Sequence, residues 1–144
     1  MRLQFLFGSP NWESRHVIAT ALIGSVAQRL TRTNCRACLR PDSPPQFYLD
    51  RLRIASSEHG LLGRSRGCTE CDFTGTAGRA PFFEILELNG RTRQLVVQGD
   101  EYGIREEVSE SGYRTILEQV MEKVRTGEVS VEEAYRTCYF GDEA

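Results

Sequence analysis

The chain has 144 residues, which is enough for one domain or two very small ones. Hydrophobic residues make up 40% of it and charged residues 26%, so we expect a packed fold rather than a disordered chain. Residues 1–79 carry 11 arginines and six acidic residues, whereas residues 80–144 carry seven basic and 14 acidic residues. This modest difference in net charge between the two parts suits contact with neighbouring protein domains, and it disfavours strong nucleic-acid binding.

The N-terminal part of the chain offers no membrane-spanning segment. Its longest apolar run, residues 17–27, is too short to cross a bilayer. Residues 1–13 contain Phe5, Phe7 and Trp12 without a clear period and remain unassigned. The start of this segment faintly resembles a signal peptide, but its apolar stretch stops at Gly8, so we expect an ordinary cytosolic N-terminus.

A helix is predicted over residues 14–33, with Ser14 as its candidate N-cap. Four apolar residues recur at every fourth position and would form a stripe along one side of this helix: Ile18, Leu22, Val26 and Leu30. The helix should end just before the first pair of cysteines.

Two C-x-x-C pairs follow, Cys35 with Cys38 and Cys68 with Cys71. Four thiolates satisfy tetrahedral Zn²⁺ completely, so this pattern predicts a structural zinc site without the open position that a catalytic zinc needs. In a reducing cytosol, clustered cysteines indicate a metal more than disulfides. The alternatives are an iron–sulfur cluster, a thioredoxin-like dithiol and a set of reduced core thiols.

The remaining elements are predicted from turn residues and periodicity. A second helix would begin at Ser43, with Pro44 or Pro45 in its first turn, and end at Gly60. Residues 79–88 predict a strand that Pro81 confines to a sheet edge. Four helices are expected at residues 91–98, 101–111, 113–125 and 131–138, the last with the capping box S-x-x-E from Ser130.

These elements predict an α+β, mostly helical fold. We expect an unassigned N-terminal segment (residues 1–13), a helix with a small zinc-stapled subdomain (residues 14–88), a helical subdomain (residues 89–138) and a tail (residues 139–144). The zinc-stapled part would hold two C-x-x-C turns, one helix between them and a short strand or hairpin.

The other reactive side chains suggest no catalytic site. Cys138 falls on the apolar side of the last helix, and His16 and His59 are isolated. Glu84 and Glu87 are three positions apart in the predicted strand, so they should point to opposite faces. Several arginines lie near the cysteines, and we expect them to pair with the acidic helices or to form a docking surface: Arg36, Arg40, Arg64, Arg66 and Arg79.

Taken in order, the motifs resemble the C-terminal end of the type II secretion and type IV pilus assembly ATPases. The segment A-L-I-G-S-V-A-Q-R-L at residues 21–30 looks like the family's helix ending in A-Q-R-L. The other matching segments are the tetracysteine motif, Gly75 and Gly78-Arg79, F-E-I-L at 83–86, G-Y-R-T-I at 112–116 and V-R-T-G-E at 124–128. The resemblance covers roughly residues 14–138.

The resemblance implies a zinc-bearing subdomain beside a RecA-like ATPase core in a hexamer. It also implies a cytoplasmic location, peripheral at the inner membrane through protein partners, namely the ATPase core and an inner-membrane platform protein. Gln28 and Arg29 would either face solvent at a helix end or contact the ATPase core near its nucleotide.

The chain departs from the family in one respect, because it contains no phosphate-binding loop G-x-x-x-x-G-K-[ST] and its one lysine, Lys123, lies in a predicted helix. We therefore expect no ATP hydrolysis by this chain alone. One alternative is a part of an ATP-dependent motor whose core is supplied by upstream sequence or another chain. Another is a stand-alone zinc-ribbon nucleic-acid-binding protein.

Overall fold

A computed structural model describes residues 12–55, 57 and 62–139, and within them the fold is α+β with helices predominating. The predicted fold class is therefore confirmed. In chain order the elements are α1 (Trp12–Ala21), β1 (Gly24–Asn34), β2 (Leu39–Pro41), α2 (Gln46–Leu52), β3 (Gly63–Ser65), β4 (Thr76–Glu87), α3 (Gly90–Gln98), α4 (Glu101–Glu110), α5 (Ile116–Arg125) and α6 (Val131–Tyr139).

The strands form two antiparallel two-stranded sheets, β1 with β4 and β2 with β3. In the smaller sheet Leu39 lies opposite Ser65 and Pro41 lies opposite Gly63. The chain divides into two compact units, unit 1 (Met1–Ala27 and Phe83–Thr115) and unit 2 (Gln28–Phe82 and Ile116–Ala144). Strands β1 and β4 each begin in one unit and end in the other, and the subdomains expected at residues 14–88 and 89–138 stay a prediction.

The prediction of one helix over residues 14–33 is wrong. Helix α1 spans Trp12–Ala21, so Ser14 lies within it rather than capping it, and the chain continues as strand β1 from Gly24. Val26 and Leu30, taken as a buried helical stripe, are both exposed on this strand. The alternation of Thr31, Arg32 and Thr33 fits a strand, and pairing with β4 satisfies backbone groups that a helix would have bonded internally.

The strand predicted at residues 79–88 is present as β4, which starts three residues earlier. Its side chains alternate, with Phe82, Glu84 and Leu86 buried and their neighbours exposed. Glu84 and Glu87 consequently differ in environment, as expected from their spacing. Pro81 is tolerated because a two-stranded sheet has only edge strands.

The four C-terminal helices are found close to their predicted positions. Asn89 caps α3 by accepting a hydrogen bond from the Thr92 amide at 2.8 Å, and Asp100 caps α4 through the Gly103 amide at 2.9 Å. Ser130 caps α6 through the Glu133 amide at 3.4 Å. Helix α5 begins later than predicted, at Ile116. Helix α2 begins after Pro45 and ends at Leu52, where Arg53 adopts the left-handed conformation of a C-cap, so the end predicted at Gly60 is wrong.

Unit 1 has a small apolar core formed by α1, α3, α4 and the end of β4. Its buried members are Ala19, Leu86, Leu88, Leu95, Val96, Ile104 and Val108. The Arg93 guanidinium donates a hydrogen bond to the backbone carbonyl of Ala19 and so joins α3 to α1.

Unit 2 has a larger core in which α5 and α6 pack with α2. Its buried members are Leu49, Leu52, Ile54, Leu62, Phe82, Ile116, Val120, Met121, Val124, Val129, Val131 and Ala134. A buried hydrogen bond of 2.7 Å between the hydroxyls of Thr31 and Thr137 joins β1 to α6. At the surface, both Nε and Nη2 of Arg32 donate to the Glu133 carboxylate, at 3.1 and 2.8 Å. No helix in the described part of the chain is long and apolar enough to cross a membrane.

The core of unit 1 can be tested by truncating Ile104, whose side chain is 0% exposed. Ile104→Ala should lower the free energy of unfolding by about 2–5 kcal/mol, because it leaves a cavity among well-packed neighbours. Tyr102→Ala in the same helix is the control, since Tyr102 is 70% exposed and its loss should change the value by no more than about 0.5 kcal/mol. Denaturant titration followed by circular dichroism measures both, and equal losses would contradict this packing.

Candidate metal centre

Each cysteine pair lies on a single 3₁₀ turn, and the two turns are called here the first knuckle (residues 35–38) and the second knuckle (residues 68–71). The first knuckle follows directly from strand β1 and leads into β2. The second follows β3 and leads toward β4. Because β2 pairs with β3, the two knuckles lie side by side although about 30 residues separate them.

The structure brings the four cysteine sulfur atoms within 4.8 Å of one another. The Sγ–Sγ distances are 3.9 Å for Cys35 to Cys68, 3.9 Å for Cys38 to Cys71 and 3.7 Å for Cys68 to Cys71. A tetrahedron of thiolates bound at about 2.3 Å to one Zn²⁺ has its sulfurs about 3.8 Å apart, whereas a disulfide requires about 2.05 Å. The distances therefore fit four ligands of one ion and not two disulfides.

Backbone amides are directed at the sulfurs, as a negatively charged thiolate cluster requires. The amide of Gly67 donates to Cys38 Sγ at 3.3 Å. Cys71 Sγ accepts two such bonds, from the amides of Cys68 at 3.2 Å and Gly75 at 3.3 Å. Hydrogen bonds to the ionised form of a group stabilise that form, so these amides favour thiolates at the site.

The pKa values of Cys68 and Cys71 differ, because burial and hydrogen bonds act on the two thiols to different extents. In the absence of a metal ion, burial raises the pKa of Cys68 to about 11. Burial also acts to raise the pKa of Cys71, but hydrogen bonds from the amides of Cys68 and Gly75 and from the side chains of Cys68 and Cys38 together lower that pKa to about 7. Metal binding would therefore release a proton from Cys68 at neutral pH, and protons compete with the metal increasingly as the pH falls.

Two side chains that sequence reasoning missed fix the position of the first knuckle. Asn34 Nδ2 donates to the carbonyls of Gly63 and Gly127 at 3.2 and 2.9 Å, which joins the end of β1 to β3 and to the turn after α5. The buried hydroxyl of Ser65 donates to the Cys35 carbonyl at 2.7 Å. Neither Asn34 nor Ser65 belongs to a recognisable sequence motif. The only signal for their roles in the sequence is that Asn34 precedes Cys35 and that Ser65 lies near the second cysteine pair.

Glycine is required at two positions beside the second knuckle. Gly67 has a φ of +97°, and a Cβ there would lie 2.6 Å from the carbonyl oxygen of Phe73. Gly75 has a φ of +73°, and a Cβ there would lie 2.7 Å from the carbonyl oxygen of Ser65. At both positions the chain therefore approaches another backbone segment, at Phe73 and at Ser65, more closely than any side chain would allow.

The remaining candidate residues that the structure describes do not belong to the sulfur cluster. Cys138 packs against the core of unit 2, as expected from its helical position, and His16 is an exposed residue of α1. His59 lies outside the described residues. Gln28 and Arg29 lie on strand β1 rather than at a helix end, which corrects their predicted setting. Among the arginines near the knuckles, Arg64 pairs with Glu132 at 2.5 Å and Arg66 with Asp42 at 3.3 Å.

Comparison with known proteins gives one family and several related proteins. Residues 1–136 match the family described as type II/IV secretion system protein, and this match includes residues 1–13, which the motifs had left unassigned. The type II secretion system protein E of Pectobacterium carotovorum subsp. carotovorum is 30% identical over 120 residues, covering 83% of this chain and 24% of that protein. The type IV pilus assembly ATPase PilB of Thermus thermophilus is 32% identical over 119 residues, covering 81% of this chain and 13% of PilB.

A protein transport protein HofB homolog of Escherichia coli K12 is 29% identical over 124 residues, covering 85% of this chain and 26% of that protein. The chain thus spans about a quarter or less of the length of these relatives. Because the family match extends over nearly all of its residues, the chain belongs to the type II/IV secretion system protein family.

Proposed function

We propose that Cys35, Cys38, Cys68 and Cys71 bind one structural Zn²⁺ that holds the two knuckles together. The observation that carries this proposal is the convergence of four sulfur atoms within 4.8 Å. Thiolates are soft ligands, and tetrahedral sulfur coordination is typical of zinc. An iron–sulfur cluster would divide its four cysteines among two or more iron atoms, so sulfurs on different irons would lie farther apart than the 4.8 Å within which all four lie here.

A zinc ion in this site would have a structural role. Four protein ligands fill its coordination shell and leave no position for a water molecule or a substrate. Its contribution would be to the stability of unit 2, because a metal that binds only the folded state adds its binding free energy to folding.

We further propose that the chain serves as a docking module in a type II secretion or type IV pilus motor, at the cytoplasmic side of the inner membrane. Its partners would be a RecA-like ATPase core, supplied by upstream sequence or by another chain, and an inner-membrane platform protein. Support for this proposal comes from two of the relatives, which are named as a type II secretion system protein and a type IV pilus assembly ATPase and are more than four times as long as the matched segment.

The surface of unit 1 supports a docking role. Large apolar side chains are exposed on β1, on β4 and just before β1: Ile23, Val26, Phe83 and Ile85. Ile85 is 63% exposed and Val26 is 64% exposed, although both lie in strands. Several exposed large apolar side chains on one two-stranded sheet, whose strands are both edge strands, are typical of a surface that another protein covers.

We expect that this chain alone does not hydrolyse ATP. Phosphoryl transfer depends on a phosphate-binding loop, its lysine and a Mg²⁺ ligand, and the sequence contains no such loop. Any ATP turnover would need the ATPase core. The role of this chain would therefore be to dock onto that core or to transmit its action to a partner, and not to catalyse the reaction.

The zinc proposal predicts about one zinc ion for each chain in the purified protein. Cys35→Ser should abolish stoichiometric zinc and lower the melting temperature, because it removes one of four ligands. Cys138→Ser is the matched control, since Cys138 lies outside the site, and it should keep full zinc content. Elemental analysis and thermal unfolding measure both effects, and a zinc ratio near zero with folding indifferent to a chelator would refute the proposal.

The geometry of the second knuckle predicts a specific effect of Gly67→Ala. The added Cβ would clash with the Phe73 carbonyl and strain the backbone, so zinc affinity should fall about 10–100-fold and stability by about 1–3 kcal/mol. Gly90→Ala is the control, because a Cβ at Gly90 meets nothing within 4 Å. Competition with a chromophoric chelator measures the affinity, and similar affinities for the two variants would contradict the role of Gly67.

The absence of a phosphate-binding loop predicts no ATP turnover by the purified chain. A chimera of Thermus thermophilus PilB carrying residues 1–136 in place of its matched segment should hydrolyse ATP, and Val26→Asp in that chimera should reduce the rate. Tyr102→Asp, an exposed substitution away from the apolar surface, should leave the rate unchanged. Phosphate release measures all four proteins, and turnover by the chain alone would refute our negative expectation.

A further inference from the structure

A basic cleft of about 460 Å³ lies in unit 2, outside the cysteine cluster. Strands β1 and β4 and helix α6 contribute its polar lining: Arg29, Arg32, Arg79, Glu133, Arg136 and Thr137. Four guanidinium groups and one carboxylate thus face a single concavity, which gives the lining a formal charge of +3. Charges of one sign in a concave site reinforce one another and attract counter-ions.

The single carboxylate cannot neutralise the four arginines. Glu133 accepts hydrogen bonds from Arg32 and, at 3.2 Å, from Arg136. Arg29 and Arg79 make no ion pair or side-chain hydrogen bond with any residue that the structure describes. Among the described residues, two of the four arginines of the cleft thus have no anionic partner, and a ligand could supply one.

The neighbouring cleft shows that this excess of charge is local. That cleft, of about 290 Å³, contains Arg32, Arg64 and Arg136 together with Glu132 and Glu133. Each of its arginines has a carboxylate partner, with Arg64 paired to Glu132 at 2.5 Å. The same helix α6 thus lines one cleft whose charges are largely compensated and one whose charges are not.

We propose that the basic cleft binds the diphosphate group of a small molecule. A phosphoryl group carries about −1.5 to −2 charges, so two linked groups match the charge of the cleft, whereas a protein carboxylate brings only one charge. The guanidinium fork is suited to phosphate oxygens, to which it donates two parallel hydrogen bonds. Arg29 and Arg79 supply these donors, and Arg32 and Arg136 are held in place by Glu133.

The test is calorimetric titration of the metal-loaded full chain with inorganic pyrophosphate at low ionic strength. Arg29→Gln and Arg79→Gln should each weaken binding about tenfold, because each removes a charge-assisted contact. Arg105→Gln is the matched control: it removes one positive charge from an exposed arginine of unit 1 that pairs with Glu101 at 2.7 Å. This control should bind pyrophosphate as the unchanged chain does, and thermal unfolding should show that all three variants remain folded.

A parallel titration with ADP distinguishes two sources of the diphosphate group. Equal affinity for ADP and pyrophosphate would assign a site for the diphosphate alone, and tighter ADP binding would assign a nucleotide, so both results support the proposal. Three results would overturn it: no pyrophosphate binding, equal weakening by Arg29→Gln and Arg105→Gln, or tighter binding of a poly-glutamate peptide. The last result would identify the cleft as a contact for an acidic protein.

Discussion

Four cysteine sulfur atoms held within 4.8 Å of one another, three of the pairs at 3.7–3.9 Å, are the constraint on which unit 2 depends. Four thiolates at these distances repel one another unless a cation lies among them. Four protonated thiols would avoid this repulsion, but the backbone amides that donate hydrogen bonds to the sulfurs favour the ionised form. The surroundings are arranged to keep the sulfurs together: β2 pairs with β3, Asn34 bridges two turns, and Ser65 bonds the Cys35 carbonyl. A shared metal ion explains all of these features at once.

The two units, each too small for a large apolar core, are stabilised by different interactions. Unit 1 relies on a few buried apolar residues between short, well-capped helices, with Ile104 at 0% exposure at their centre. Unit 2 combines a larger apolar core with polar connections from β1 to α6, namely the Thr31–Thr137 hydrogen bond and the Arg32–Glu133 ion pair. The buried cluster at the knuckles consists of Cys35, Cys38 and Cys71 with Cys68 packed against them, so a metal ion bound by these cysteines would stabilise this region.

The sequence was most informative where one residue type has one physical use. The cysteine spacing predicted the cluster, and the helix caps and stop signals placed α3, α4 and α6 to within a residue or two. Strand β1 was missed because Val26 and Leu30, four residues apart, imitate a buried helical stripe when in fact both are exposed. The basic cleft could not be predicted either, since Arg29, Arg79 and Arg136 come from three distant segments that only the tertiary structure brings together.

Our central proposal is that Cys35, Cys38, Cys68 and Cys71 bind one structural zinc ion. X-ray absorption at the zinc edge of the purified protein tests that claim most directly, because it counts the ligands and measures their distances. We predict four sulfur ligands at about 2.3 Å with no lighter neighbour in the first coordination shell. A shell that contains nitrogen or oxygen at about 2.0–2.1 Å would contradict the claim, because it would leave a cysteine unbound or a position open to water.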